Sequence, residues 1–207
     1  MHHVIACHGQ DAKDLSVAKL RRAYRHFGPK VLLNRVSPVY SATILMEVVR
    51  AKVGEAAILP CVRLLLDHHC FTPLSRSLVC ARELVNVAND DGLTPLIIAS
   101  ARGFPRVAHF LLSAGADPLP RGLGRFRVCG TRQSIKGRHT ALEWADLLLK
   151  QEERAGVKPA HRESLERVRS LLFNHIASII AYDAASEDRL LALQRQLAPL
   201  WAQPTTG

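Results

Sequence analysis

The chain has 207 residues, 48% of them hydrophobic and only 5% aromatic. That composition supports a packed core of Leu, Val, Ile and Ala and excludes wholesale disorder. The formal net charge of +10 favours acidic partners: nucleic acid, anionic lipid or an acidic protein face.

The opening stretch, MHHVIACHGQ, has no basic segment followed by a long apolar run, so no secretory signal is expected. Within residues 1–38, Ile5, Ala6 and Cys7, then Val17, Ala18 and Leu20, sketch a degenerate first helical unit. Residues 39–84 carry a second unit. Thr43, Leu45, Met46 and Val49 read as a short helix, and Cys61 to Asp67 as a longer one, with extra residues around Val53 to Ile58 lengthening the turn between them. His69 stands where a capping Gly is expected, and Phe71 to Leu84 reads as an inserted loop.

Residues 85–118 hold the strongest pattern. Asn89, Asp90, Asp91 and Gly92 form a turn signal, because Asn and Asp tolerate the left-handed region and Gly permits positive φ. Thr94 offers a capping hydroxyl, and Pro95 suits a first helical turn. A short helix runs through Leu96, Ile97, Ala99 and Ser100 to a stop at Gly103. A second helix places Val107, Ala108, Leu111 and Leu112 on one face and ends at Gly115. Residues 119–136 follow as a basic, glycine-containing inserted loop. Residues 137–175 repeat the two-helix pattern, with Thr140, Ala141, Leu142, Trp144 and Ala145 in the first helix and Val168, Leu171 and Leu172 in the second. A charged insertion, Lys150 to Arg162, separates them. Residues 176–207 are expected to form a capping helix and tail, with Ser186 as N-cap and Leu190, Leu193, Leu197 and Leu200 or Trp201 on one face. The apolar run from Ile176 to Tyr182 is too short to span a bilayer, which takes about 20 residues.

The unit from 85 to 118 resembles an ankyrin repeat. Gly92, Thr94, Pro95, Leu96, Ala99, Gly103, Val107, Leu111, Leu112, Gly115, Ala116 and Asp117 all match the family pattern, and Ile97 replaces its usual His. The resemblance implies an all-α solenoid of three to four helix-turn-helix repeats, with inserted loops and a C-terminal cap. One repeat cannot bury its own face, so the flanking units are read as its neighbours. Thr43, Thr94 and Thr140 lie about fifty residues apart rather than the family's ~33, so the excess is assigned to the loops.

The same resemblance implies a protein–protein interaction module, with partners docking on turn tips, first-helix faces and inserted loops. The candidate partner-binding residues are Ala88, Asn89 and Asp90 in the turn, and Arg121, Arg125, Phe126, Arg127, Arg132, Lys136 and Arg138 in or beside the basic loop. That loop contains no acidic residue, and clustered Arg pairs well with carboxylate or phosphate. The partner is expected to be another protein, with an acidic surface favoured. The alternative is a nucleic-acid or anionic-lipid binder using Arg-rich residues 121–138.

No cofactor, metal or catalytic role is expected. Glu152 with Glu153, and Asp90 with Asp91, are sequence neighbours that do not face one another as acid–base pairs must. His68, His69, Cys70 and Cys80 lack the paired spacing that converges on zinc, and Cys61 reads as a small core residue. Five irregularly spaced cysteines argue against a disulfide scaffold, so an intracellular protein, cytoplasmic or nuclear, is expected.

Overall fold

Three threonines open three helices. In the computed structural model, which describes residues 35–37, 42–67, 81–156 and 159–182, Thr43, Thr94 and Thr140 all adopt extended backbone angles. Their hydroxyls accept hydrogen bonds from the backbone N–H of Met46, Ile97 and Glu143 at 3.4, 3.3 and 3.2 Å. Each bond satisfies an N–H that the first helical turn leaves without a partner. Thr140 completes a capping box, because its own N–H donates to Glu143 Oε2 at 2.9 Å.

Each threonine heads a pair of helices. The first pair is α1 (Ile44–Arg50) and α2 (Glu55–Asp67), and a short helix α3 (Ala81–Asn86) precedes the second. The second pair is α4 (Pro95–Ala101) and α5 (Pro105–Ser113), and the third is α6 (Ala141–Arg154) and α7 (Pro159–Tyr182). First helices pack on first helices, α1 on α4 and α4 on α6. Second helices do likewise, α2 on α5 and α5 on α7. One core therefore runs through all three pairs, from Leu45 and Val62 through Leu96, Val107 and Leu111 to Leu142, Leu148 and Val168. Cys61 is buried in it. Gly115 stops α5 as expected: its φ is +90°, and Ala116 N–H returns to Leu111 O at 2.9 Å.

Two long-range clamps join the first pair to the second. Phe104 caps α5 without a side-chain hydrogen bond, and Glu55 supplies the missing acceptor. Its Oε1 receives the N–H groups of Arg106 and Val107 at 2.6 and 2.9 Å, placing a carboxylate at a helix N-terminus. In return Arg102 donates to the carbonyls of Val49, Ala51 and Val53 at 2.7, 2.5 and 3.3 Å, closing the end of α1. Burial pulls the Arg102 guanidinium down to about 10, which leaves it cationic at neutral pH.

The structure corrects the expected all-α architecture. Strand β1 (Arg35–Ser37) pairs antiparallel with β2 (Ala42–Thr43) just before α1. The basic segment from 119 to 136 is not a flexible loop. Its strand β3 (Gly122–Arg127) pairs antiparallel with β4 (Ser134–His139) in a register from Gly122↔His139 to Arg127↔Ser134. The cause is a two-faced ribbon. Gly122, Gly124, Phe126, Ile135, Gly137 and His139 share one face by strand alternation. That face covers Trp144, whose ring meets Phe126 and His139 edge-on at centroid distances of 4.8 Å each. A Cβ on Gly124 would come within 2.5 Å of the Phe126 ring and 3.3 Å of Trp144, so the glycine makes room for the aromatic packing.

Three smaller expectations also change. Helix α2 begins at Glu55, so most of the supposed long turn from Val53 to Ile58 is helical. The charged stretch from Lys150 to Arg162 lies largely on α6 and α7 rather than in a loop. Helix α7 continues past His175, where the repeat was expected to end, as far as Tyr182. The degenerate unit before residue 35, most of the insertion from Phe71, the His68, His69, Cys70 and Cys80 cluster and the helix expected from Ser186 lie outside the described residues. No described helix is long and apolar enough to cross a membrane.

Candidate functional site

The turn before α4 is built from inside. Asn89 Oδ1 accepts from the N–H groups of Asp91 and Leu93 at 3.1 and 2.8 Å, and Asn89 N–H donates to Leu93 O at 3.0 Å. An Asx turn of this kind uses the side chain to hold its own backbone. Asn89 is accordingly buried and Ala88 half-buried, while Asp90 and Asp91 are exposed. Gly92, with φ of +79°, lets the turn approach the hairpin: a Cβ there would meet Arg121 O at 2.9 Å. Leu93 and Gly122 meet at this crossing, and Leu123 N–H donates to Asp91 O at 2.8 Å.

The hairpin sorts the predicted basic residues. Register places Arg125 directly opposite Lys136, with Arg127 and Arg138 on the same face and no carboxylate among them. All four are exposed. Arg132, also exposed, lies beyond the ladder in the connection between the strands. Arg121 is diverted, since its guanidinium holds Glu143 Oε1 at 2.5 Å. Phe126 is spent on Trp144. Four of the ten predicted contact residues therefore share one surface, and Asn89, Arg121 and Phe126 chiefly build the scaffold.

A groove of about 1050 Å³ opens between the hairpin and the first helices. Residues 123–127 of β3 form one wall; Ile98 and Ala101 of α4, Arg102 at its C-cap, and Lys52 and Val53 after α1 line the other side. Charge and composition expose no such groove, because its walls come from the hairpin and from helix pairs far apart in sequence.

Behind Cys129 and His161, which line this groove, lies Glu152, which the sequence offers only as a neighbour of Glu153. Glu152 is fully buried, and both its oxygens are engaged. Oε1 accepts from Cys129 N–H at 3.1 Å, and Oε2 lies 2.9 Å from His161 Nδ1. His161 Nε2 sits 3.3 Å from Arg102 O, so both ring nitrogens face acceptors. Cys129, Glu152 and His161 offer ligand atoms within 4.8 Å of one another and are the described residues that could hold a metal ion. Burial, then the charge of Glu152, pushes the Cys129 thiol up, which disfavours the thiolate that metals prefer. The arrangement acts as a strut that ties the hairpin, α6, α7 and the end of α4 together. Glu152→Ala leaves the Cys129 N–H without its acceptor and should lower stability by about 2–3 kcal/mol in denaturant unfolding. Glu152→Gln, which keeps an acceptor, should cost less.

An ankyrin-repeat family model matches residues 91–122, from the exposed turn through α4 and α5 to the first residue of β3. No curated protein and no solved structure matches the chain.

Proposed function

We propose, from the ankyrin repeat at residues 91–122, that the chain is a protein-binding module of three such repeats headed by Thr43, Thr94 and Thr140. Ankyrin repeats generally mediate protein–protein interaction. The observation that carries the reading is the groove, which runs across the first-helix side and is walled by an ordered hairpin. Its polar walls and apolar floor suit a docked protein segment. The partner surface is acidic, to match Arg125, Arg127, Lys136 and Arg138. Glu152 and His161 are committed to holding the scaffold, which supports a binding role over a catalytic one.

The four exposed cations also support a second reading, a nucleic-acid or anionic-lipid binder. Phosphate binding falls steeply with added salt, whereas a partner gripped partly by apolar contacts is less sensitive.

The groove reading is tested by photocrosslinking. A photoreactive residue replaces Asp91 at the groove or Arg106, exposed on a second helix, and the chain is irradiated in cell extract. Protein adducts should form from position 91 and not from position 106. Adducts from position 106 alone, or from neither position, would contradict the reading.

A further inference from the structure

Among the described residues, no main-chain partner pairs with the outer edge of β3 beyond Leu123, so its hydrogen-bonding groups are open there. In an antiparallel ladder successive residues turn their N–H and C=O groups alternately toward the partner strand and away from it. Two bonds fix the phase. Leu123 N–H leaves the ribbon for Asp91 O, and Val128 N–H crosses it to Gln133 O at 3.0 Å. Even-numbered residues therefore pair with β4, and Leu123, Arg125 and Arg127 turn their main-chain groups outward. The turn at Asp91 occupies this edge only at Leu123. Beyond it the edge borders the groove: residues 123–127 of β3 all line it, against Lys136 alone from β4.

An uncovered strand edge accepts another extended chain. The charges around this one specify the chain. Lys52, Arg125, Arg127 and Lys136 line the groove, and their side chains make no ion pair or hydrogen bond with another described residue. Asp91 is the single carboxylate among the described lining residues. Arg125 and Lys136 stand directly across the ladder from each other, and like charges so placed repel. A carboxylate on an added strand relieves that repulsion.

We propose that the β3 edge takes up an acidic, extended segment of a partner protein as a third strand, beside Arg125 and Arg127. This deepens the protein-binding reading and rests on it. By strand alternation every second residue of the segment lies on the basic face of the ribbon, so acidic residues belong there. The residues between them turn toward the helix side, where Ile98 and Ala101 of α4 line the groove, so apolar residues belong there. Single-stranded nucleic acid fits less well. It needs aromatic platforms for its bases, and Phe126, the aromatic of the hairpin, packs on Trp144. It also cannot pair with a strand edge.

The test uses the full chain, a short synthetic peptide alternating Glu and Val, the same peptide with Lys for Glu, and an oligothymidylate. Binding is read by fluorescence anisotropy, and amide hydrogen exchange by NMR. The Glu peptide should bind and the Lys peptide should not. On binding, the amides of Arg125 and Arg127 should slow in exchange, while those of Gly124 and Phe126, already turned toward β4, change little. Arg125→Gln with Arg127→Gln should weaken binding by about tenfold or more. Arg125→Pro, which removes an edge N–H at a position where an edge strand tolerates Pro, should weaken it too. Binding without new protection at Arg125 and Arg127, or binding only of the oligothymidylate, would overturn the proposal. So would a protein adduct at position 91 with no affinity for the Glu peptide. That last result would leave the protein-binding reading standing and remove strand addition alone.

Discussion

Leu111→Ala should lower the unfolding free energy by about 2–5 kcal/mol. Leu111 lies in α5, the middle second helix, and is fully buried. Helix α5 packs on α2 on one side and α7 on the other, so a cavity there loosens contacts to both neighbouring pairs. The lost apolar transfer and the unfilled volume add. Leu111→Asp should cost more, because it places a carboxylate where no described cation or donor is arranged to receive it. Thermal or denaturant unfolding checks both, and a wild-type transition for Leu111→Asp would contradict the packing.

Trp144→Ala should cost about 3–5 kcal/mol and also detach the hairpin. Trp144 is fully buried in α6 and forms the bed on which Phe126 and His139 lie. Without it the glycine-rich face of the ribbon has nothing to cover. Amide protection across the β3–β4 ladder should therefore fall by more than protection within α4. Trp144→Phe should cost less than Trp144→Ala, because a ring remains and the indole Nε1 has no hydrogen-bond partner among the described residues to lose. Equal losses from Phe and Ala would contradict the view that ring packing is what holds the hairpin.

What was legible in the sequence is what short-range chemistry decides. Thr94, Pro95, Gly103 and Gly115 announce the second helix pair, because caps and stops act within a few residues. The same logic located Thr43 and Thr140. The hairpin was hidden for a physical reason. Its buried face consists largely of Gly122, Gly124 and Gly137, which show no apolar alternation, and its packing partner Trp144 lies outside the segment. Glycine beside arginine therefore read as a solvated loop. The clamps from Glu55 to α5 and from Arg102 to α1 were invisible because their partners lie 49 to 53 positions away. Asn89 shows the opposite difficulty. Its turn propensity was plain, but the side chain that makes the turn is consumed in making it.

The same distinction applies to the basic residues. Composition grouped Arg121 with Arg125 and Arg127, and the fold separates them. Arg121 pairs with Glu143, while the other two flank an open edge. Only the register of the ribbon distinguishes a structural arginine from one presented to a partner.

The stacking of the three helix pairs is tested most directly by unfolding Leu111→Ala with Trp201 replaced by Phe, so that Trp144 reports alone from the third pair. If the pairs stand as one array, the Trp144 fluorescence transition shifts to lower denaturant together with the loss of helical circular dichroism. A Trp144 transition that stays at the position of the Trp201→Phe parent, while the helical signal melts separately, would contradict the stack and the groove that it builds.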